Sequence, residues 1–179
     1  MIDFTFHTPD NTTGKTQELL EGIRKGYGFF PNLFGYMAEA PTTVEAYLAL
    51  NELVAKTSLS PAQQQIALLA VSAANDCSFC TVAHRAMGKM KGASTQTLSA
   101  IASRSEIIDD TDRALATFVQ SVVNKRGRPD AAEIDAFLNA GFTRQQILEV
   151  MLIVSIKTLS NYINHLTNPV PNKELLAML

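Results

Sequence analysis

The sequence has no tryptophan, few charges and only two cysteines. Charged residues make up 18% of its 179 residues, and the formal net charge is −2. With neither a basic excess nor an acidic one, nothing draws the chain to nucleic acid or to a membrane surface. The opening Met1–His7 has no basic segment followed by an apolar one, so it does not read as a secretory signal. The longest apolar stretch near the end, Ile147 to Ile156, is broken by Glu149 and Ser155 and reads as too short to span a bilayer. Alternation of polar and apolar residues at strand period is nowhere sustained. A cytoplasmic, reducing setting is the expectation. In that setting a cysteine pair is catalytic or metal-binding more often than it is a structural staple.

What is present is apolar and helical. Hydrophobic residues make up 46% of the chain, enough for one domain with its own core. The expectation is a single all-α domain over residues 1–179, a helical bundle with residues 1–13 as an N-terminal arm. Leu19, Leu20 and Ile23 mark a helix from Gly14 to Gly26. The aromatic segment Tyr27–Phe34 reads as a loop entering a short helix near Asn32, its rings as core packing, with a pocket wall or a subunit contact as the alternatives. A helix opens at Pro41 and runs to about Lys56. Ser60-Pro-Ala-Gln63 has a serine cap, a proline at the first helical position and a glutamine at the third, and starts a strongly apolar helix. After the cysteines, helix signals recur at Ser94 and at Asp110 or Thr111. They recur again at Asp130 with Glu133, and at Thr143 with Gln146, where a long helix runs to about Leu166.

Both cysteines lie in Asn75-Asp-Cys-Ser-Phe-Cys-Thr-Val-Ala-His84. With Asp76 as N-cap, a helix would begin at Cys77 and hold both thiols in its first turn, where the dipole favours the reactive thiolate. On such a helix Cys77, Cys80 and His84 sit at about 0°, 300° and 340° around the axis, on one face. Three readings fit: a redox-active CxxC with a histidine beside it, two small buried hydrophobes, or three ligands of a zinc site that needs a fourth. A c-type haem attachment is excluded, because Thr81 rather than histidine follows Cys80.

The setting narrows these readings. Leu59-Ser-Pro, then Ile66 to Asn75, then Cys77-x-x-Cys80-x-x-x-His84 resembles the AhpD-like alkylhydroperoxidase family of the carboxymuconolactone decarboxylase superfamily. The resemblance runs upstream through Phe30-Pro-Asn-Leu-Phe34 and downstream to Asn161-Tyr-Ile-Asn-His165. It implies an oligomer, commonly a trimer or hexamer, that reduces organic hydroperoxides with no metal or organic prosthetic group. It further implies that Cys80 attacks the peroxide, that Cys77 resolves the sulfenic acid to a disulfide, and that His84 serves a proton relay. A lipoylated carrier or another dithiol protein is the reductant such a protein would use. Two positions depart from the pattern: Gln65 stands where the relay has glutamate, and Phe79 where the peroxidase branch often has histidine. Glutamine orients a neighbour but exchanges no proton near neutral pH. The rival functions are a lyase acting on a lactone and a non-enzymatic redox sensor or disulfide-exchange protein.

Of the remaining polar residues, His7 reads as a solvated surface residue and His165 as a cation favoured at a helix end. Asn161 and Asn164 read as satisfying buried groups rather than as catalytic. Arg85 and Lys89 are cations close enough in sequence to lower a thiol pKa, with a solvated face as the alternative. Met87 and Met90 read as core or interface filler.

Overall fold

A computed structural model describes residues 3–179. Ten helices account for its regular structure, and no strand occurs among the described residues. They are α1 (Gly14–Tyr27), α2 (Asn32–Met37), α3 (Pro41–Val54), α4 (Pro61–Ala74), α5 (Ser78–Met90), α6 (Thr95–Ser103), α7 (Asp110–Asn124), α8 (Ala131–Asn139), α9 (Arg144–Thr167) and α10 (Lys173–Leu176). The core is built around α4, which is buried continuously from Gln65 to Ala73 and packs against α5, α6, α7 and α9. A helix this apolar on every side is stable only when enclosed by others.

Local chemistry explains most of the boundaries. Ser60 and Gln63 form the expected capping box, with Gln63 N–H donating to Ser60 Oγ at 3.2 Å and Ser60 N–H to Gln63 Oε1 at 2.9 Å. Thr143 and Gln146 start α9 in the same way. The cap of α7 is Asp109, one residue before the two expected, because its carboxylate accepts the Asp112 N–H at 2.8 Å.

The passage from α4 to α5 also departs from expectation. Asp76 is not an N-cap: it sits in the left-handed region at φ 55° as the residue that ends α4. Its N–H bonds to Ala73 O at 3.2 Å and the next N–H, of Cys77, reaches Ser72 O at 2.9 Å, the two bonds of a Schellman ending. A side chain in this conformation costs about 1–2 kcal/mol, which glycine would avoid. Arg104 offsets it by pairing with the Asp76 carboxylate and donating to Ala73 O at 2.8 Å. Cys77 thus follows the end of α4 directly and is itself the N-cap of α5. No linker separates the core helix from the thiols.

The helix α9 extends beyond the apolar stretch seen in the sequence. At 24 residues it is long and apolar enough, by length and composition alone, to cross a bilayer. One face packs on α2, α3, α4 and α7 and buries Val150, Ile153, Ile156, Lys157, Ser160, Asn161 and Asn164. The other exposes Leu148, Tyr162 and Leu166.

Two end segments close the bundle near α2. In the N-terminal arm, His7 N–H bonds to Gly35 O at 2.9 Å, His7 Nε2 contacts Glu39 Oε2 at 2.9 Å, and the Phe6 ring lies directly against Gly35. The C-terminal segment carries α10, which has no counterpart in the expected helices. Asn172 fixes it: its Oδ1 accepts the Asn32 N–H at 2.9 Å and its Nδ2 donates to Phe30 O at 3.0 Å. Replacing Asn172 with alanine is expected to cost about 1–3 kcal/mol and to expose residues beyond Val170 to limited proteolysis. An unchanged cleavage pattern would contradict this role for Asn172.

Candidate active site

The thiols lie where three helices meet. α4 delivers the chain, the first turn of α5 carries Cys80, and α9 crosses behind with Lys157, Asn161 and Asn164. Those three positions, i, i+4 and i+7, form one stripe of the helix. Cys77 and Cys80 are free thiols and both are buried. They are not equivalent. Cys80 lines a cavity of about 580 Å³, whereas Cys77 lies outside its wall. The helical-wheel expectation that Cys77, Cys80 and His84 share a face therefore holds for Cys80 and His84 only, both of which line the cavity. Cys77 is the cap, at φ −85° and ψ 96°, and non-helical backbone takes it off the helical register.

Electrostatics separates the two sulfurs further. The Cys80 thiol is held below the ordinary thiol range, first by a hydrogen bond from Cys77, against the opposing effect of burial. The Lys157 ammonium adds to the lowering by its charge. Asn164 Nδ2 donates to Cys80 Sγ at 3.1 Å and to Cys77 Sγ at 3.6 Å. Asn161 is oriented by Asn75, whose Nδ2 donates to Asn161 Oδ1 at 3.0 Å. No acidic residue occupies the first turn of α5 to oppose a thiolate. Cys77 is pushed the other way, by its hydrogen bond to Cys80, by burial and by the Cys80 charge. The two opposed shifts favour a reduced pair in which Cys80 carries the charge and Cys77 the proton.

The expected relay positions lie together on the far side of Cys80. His84 Nδ1 donates to Gln65 Oε1 at 3.0 Å, and both side chains are buried. Burial, assisted by the Lys157 charge, lowers the His84 pKa well below its ordinary value, so the ring is neutral at physiological pH. With its proton held on Nδ1 by an amide oxygen, it presents Nε2 as an acceptor and has no proton to give. The hydrogen bond that His84 makes runs to Gln65 and not to either cysteine sulfur. Phe79, where the peroxidase branch often has histidine, is an apolar part of the cavity wall.

The rest of the wall is mostly aromatic. Tyr27, Phe29, Phe34 and Tyr47 line it, so the Tyr27–Phe34 segment read as core is also a pocket wall. Phe34 stacks edge-on to Tyr47 at 5.6 Å and against Tyr27 at 5.9 Å. Burial raises the pKa of both tyrosines, and the neighbouring thiols raise that of Tyr47 further, so both hydroxyls stay protonated. Leu175 and Met178 of the C-terminal segment complete the wall with Met87 and Met90. Among the described residues, no group of three or more His, Cys, Asp and Glu side chains is arranged to hold a metal ion.

Comparison with known proteins agrees with this architecture. Residues 41–118 match the sequence profile of the carboxymuconolactone decarboxylase family. The matched stretch runs from the start of α3 into α7 and holds both cysteines, and over it the chain is similar to that family. The fold is AhpD-like: a structure described as the alkylhydroperoxidase AhpD core of an uncharacterized peroxidase-related protein from Ralstonia eutropha superposes with a TM-score of 0.86, at 22% identity over 98% of this chain and 94% of that one. A peroxidase-related protein from a Silicibacter species superposes at 0.80, with 20% identity over 93% and 89%. A cysteine variant of the debrominase Bmp8, in complex with 2,3,4-tribromopyrrole, superposes at 0.76, with 16% identity over 99% and 95%. A sequence search of curated proteins gave no match.

The cation that acts on Cys80 is Lys157, which lines the cavity with it. The sequence singled out Arg85 and Lys89 as cations near the thiols. Lys89 instead donates to Met178 O at 3.1 Å, on the C-terminal segment, and the cation acting on Cys80 comes from α9. The available signal was the one charge between Glu149 and His165, spaced i, i+4 and i+7 with two asparagines. His165 lies away from the cavity, exposed and stacked on Tyr162. Replacing Lys157 with methionine removes a factor that lowers the Cys80 pKa. The thiolate absorbance near 240 nm, followed against pH, is then expected to titrate at higher pH, and iodoacetamide alkylation at pH 7 to slow about tenfold or more. An unshifted titration would show that Lys157 does not act on the sulfur.

Proposed function

We propose that this protein is a thiol-dependent oxidoreductase that reduces organic hydroperoxides, with Cys80 as the attacking sulfur and Cys77 as the resolving one. The observation that carries the proposal is the asymmetry of the pair. Cys80 faces the cavity and is stabilised as thiolate, while Cys77 sits behind it and keeps its proton. The Cys80 thiolate attacks the terminal peroxide oxygen; an S–O bond forms, the O–O bond breaks, and the alkoxide leaves to be protonated. Lys157 and Tyr47 line the cavity with Cys80 and face this step, and burial keeps the Tyr47 hydroxyl protonated. Cys77 then attacks the Cys80 sulfenic sulfur, the S–S bond forms, and hydroxide departs with the Cys77 proton as water.

The relay is altered in this reading. His84 and Gln65 orient the bound hydroperoxide, and the cation from α9 supplies the thiolate stabilisation that a carboxylate–imidazole relay would otherwise arrange. A dithiol donor, a lipoylated carrier being the type expected from the family, returns the pair to the reduced state. Self-association through the exposed apolar face of α9 belongs to the same proposal.

A second reading is favoured by the flat aromatic walls and by the fold shared with Bmp8. The thiolate would take a halogen from an electron-rich ring, the C–X bond breaking as an S–X bond forms and the ring carbon taking up a proton; Cys77 would then lose its proton and displace halide to give the same disulfide. The two readings separate in one experiment. Reduced protein with one equivalent of cumene hydroperoxide is expected to lose both thiols and form a Cys77–Cys80 disulfide, seen by mass spectrometry. Cys80→Ser is expected to leave Cys77 unoxidised. Thiols that survive the peroxide but are consumed by a brominated pyrrole, with bromide released, would replace the first reading by the second.

A further inference from the structure

Lys157 is buried, and its partner is a group whose charge depends on oxidation state. Among the described residues no carboxylate forms an ion pair with it. No aspartate or glutamate lines the cavity either, whereas a second lysine, Lys91, stands on the same wall. In the reduced protein the Lys157 charge is matched by the Cys80 thiolate. A disulfide or a sulfenic acid has no such charge, so oxidation leaves an unneutralised ammonium on the wall of a largely apolar cavity. An isolated buried charge is costly, and it either loses its proton or acquires a counter-ion.

We propose that Lys157 makes the charge preference of the cavity alternate with the redox state of Cys80: the reduced form accepts a neutral apolar substrate, and the disulfide form binds an apolar monoanion, which in turnover is the thiolate of the dithiol donor. This rests on the assignment of Cys80 and Cys77 above. The rest of the wall fits such a ligand, because aromatic faces pack against its body and the protonated Tyr27 and Tyr47 hydroxyls are available as donors to its charge. A hydroperoxide carrying its own carboxylate would meet a thiolate in the reduced form and be disfavoured. After oxidation the preference reverses.

The reductive half-reaction follows from which sulfur is accessible. The donor thiolate reaches Cys80, the sulfur on the cavity wall, and forms a mixed disulfide with it. The bond to Cys77 breaks, and Cys77 departs with the electron pair and takes up a proton. The donor's second thiol loses its proton, displaces Cys80 as thiolate and closes the donor disulfide. The Lys157–Cys80 pair is thereby restored, and the anionic site is filled by the protein's own sulfur, which expels the product.

Benzoate is a suitable probe, with benzamide as its neutral counterpart. The disulfide form is prepared with diamide, so the test does not depend on whether peroxides are substrates. Isothermal titration calorimetry should show benzoate binding the disulfide form at least about tenfold more tightly than the dithiothreitol-reduced form. Benzamide should not distinguish the two forms, and Lys157→Met should erase the benzoate difference. The comparison between the two wild-type forms needs no variant. Equal benzoate affinity in both forms, no binding to the disulfide form, or a difference that persists in Lys157→Met would overturn the proposal while leaving the peroxide reading intact.

Discussion

The site turns on one buried juxtaposition, the Lys157 ammonium and the Cys80 sulfur on the wall of the same cavity. Either charge alone would be unfavourable so far from water, Lys157 at 1% exposure and Cys80 at 1%. Together they are nearly neutral, and Asn164 supplies a hydrogen bond in place of those that the sulfur lacks from solvent. The site needs two distant parts of the chain in register, with α9 presenting its i, i+4 and i+7 stripe to the first turn of α5. The capping box at Ser60 and the Schellman ending at Asp76 serve that register by fixing where α4 begins and ends. With Cys77 directly after the end of α4, any slip in the core helix would move the thiols.

The same arrangement explains why two chemically identical residues three apart behave differently. Position on the helix gives Cys80 the dipole, the ammonium and the cavity. Cys77, as the cap, has the Cys80 sulfur as its nearest charge and no access to the cavity. The aromatic wall and the C-terminal segment pinned by Asn172 then define an apolar space in which a small change in charge has a large effect, since little water is present to screen it.

Much of the fold was legible in the sequence because its signals are local. The Ser60 and Thr143 capping boxes, the proline at Pro41 and the apolar period of α4 each act within one helical turn. The α10 segment was not legible, since its four residues are held by Asn172 bonding to Asn32 and Phe30, contacts some 140 residues apart in the chain. Asp76 was misread for a related reason. Aspartate is a good cap, but the Schellman bonds and Arg104 make it a left-handed terminator instead. Within the candidate site, Cys77, Cys80, His84 and Gln65 were named from spacing and resemblance, and the structure brings Gln65 and His84 into contact. Lys157 and the role of the two asparagines were missed, because a polar residue in an apolar helix announces its partner only when the facing helix is known.

The measurement closest to the central claim is to locate the first oxidised sulfur. Single-cysteine variants, Cys77→Ser and Cys80→Ser, would each be mixed with sub-stoichiometric cumene hydroperoxide and dimedone at pH 7, then mapped by mass spectrometry. The account predicts a dimedone-trapped sulfenic acid on Cys80 in Cys77→Ser, formed far faster than any adduct in Cys80→Ser. Equal or faster trapping on Cys77 would contradict it, and would mean that the ammonium, the amides and the cavity do not decide which thiol reacts.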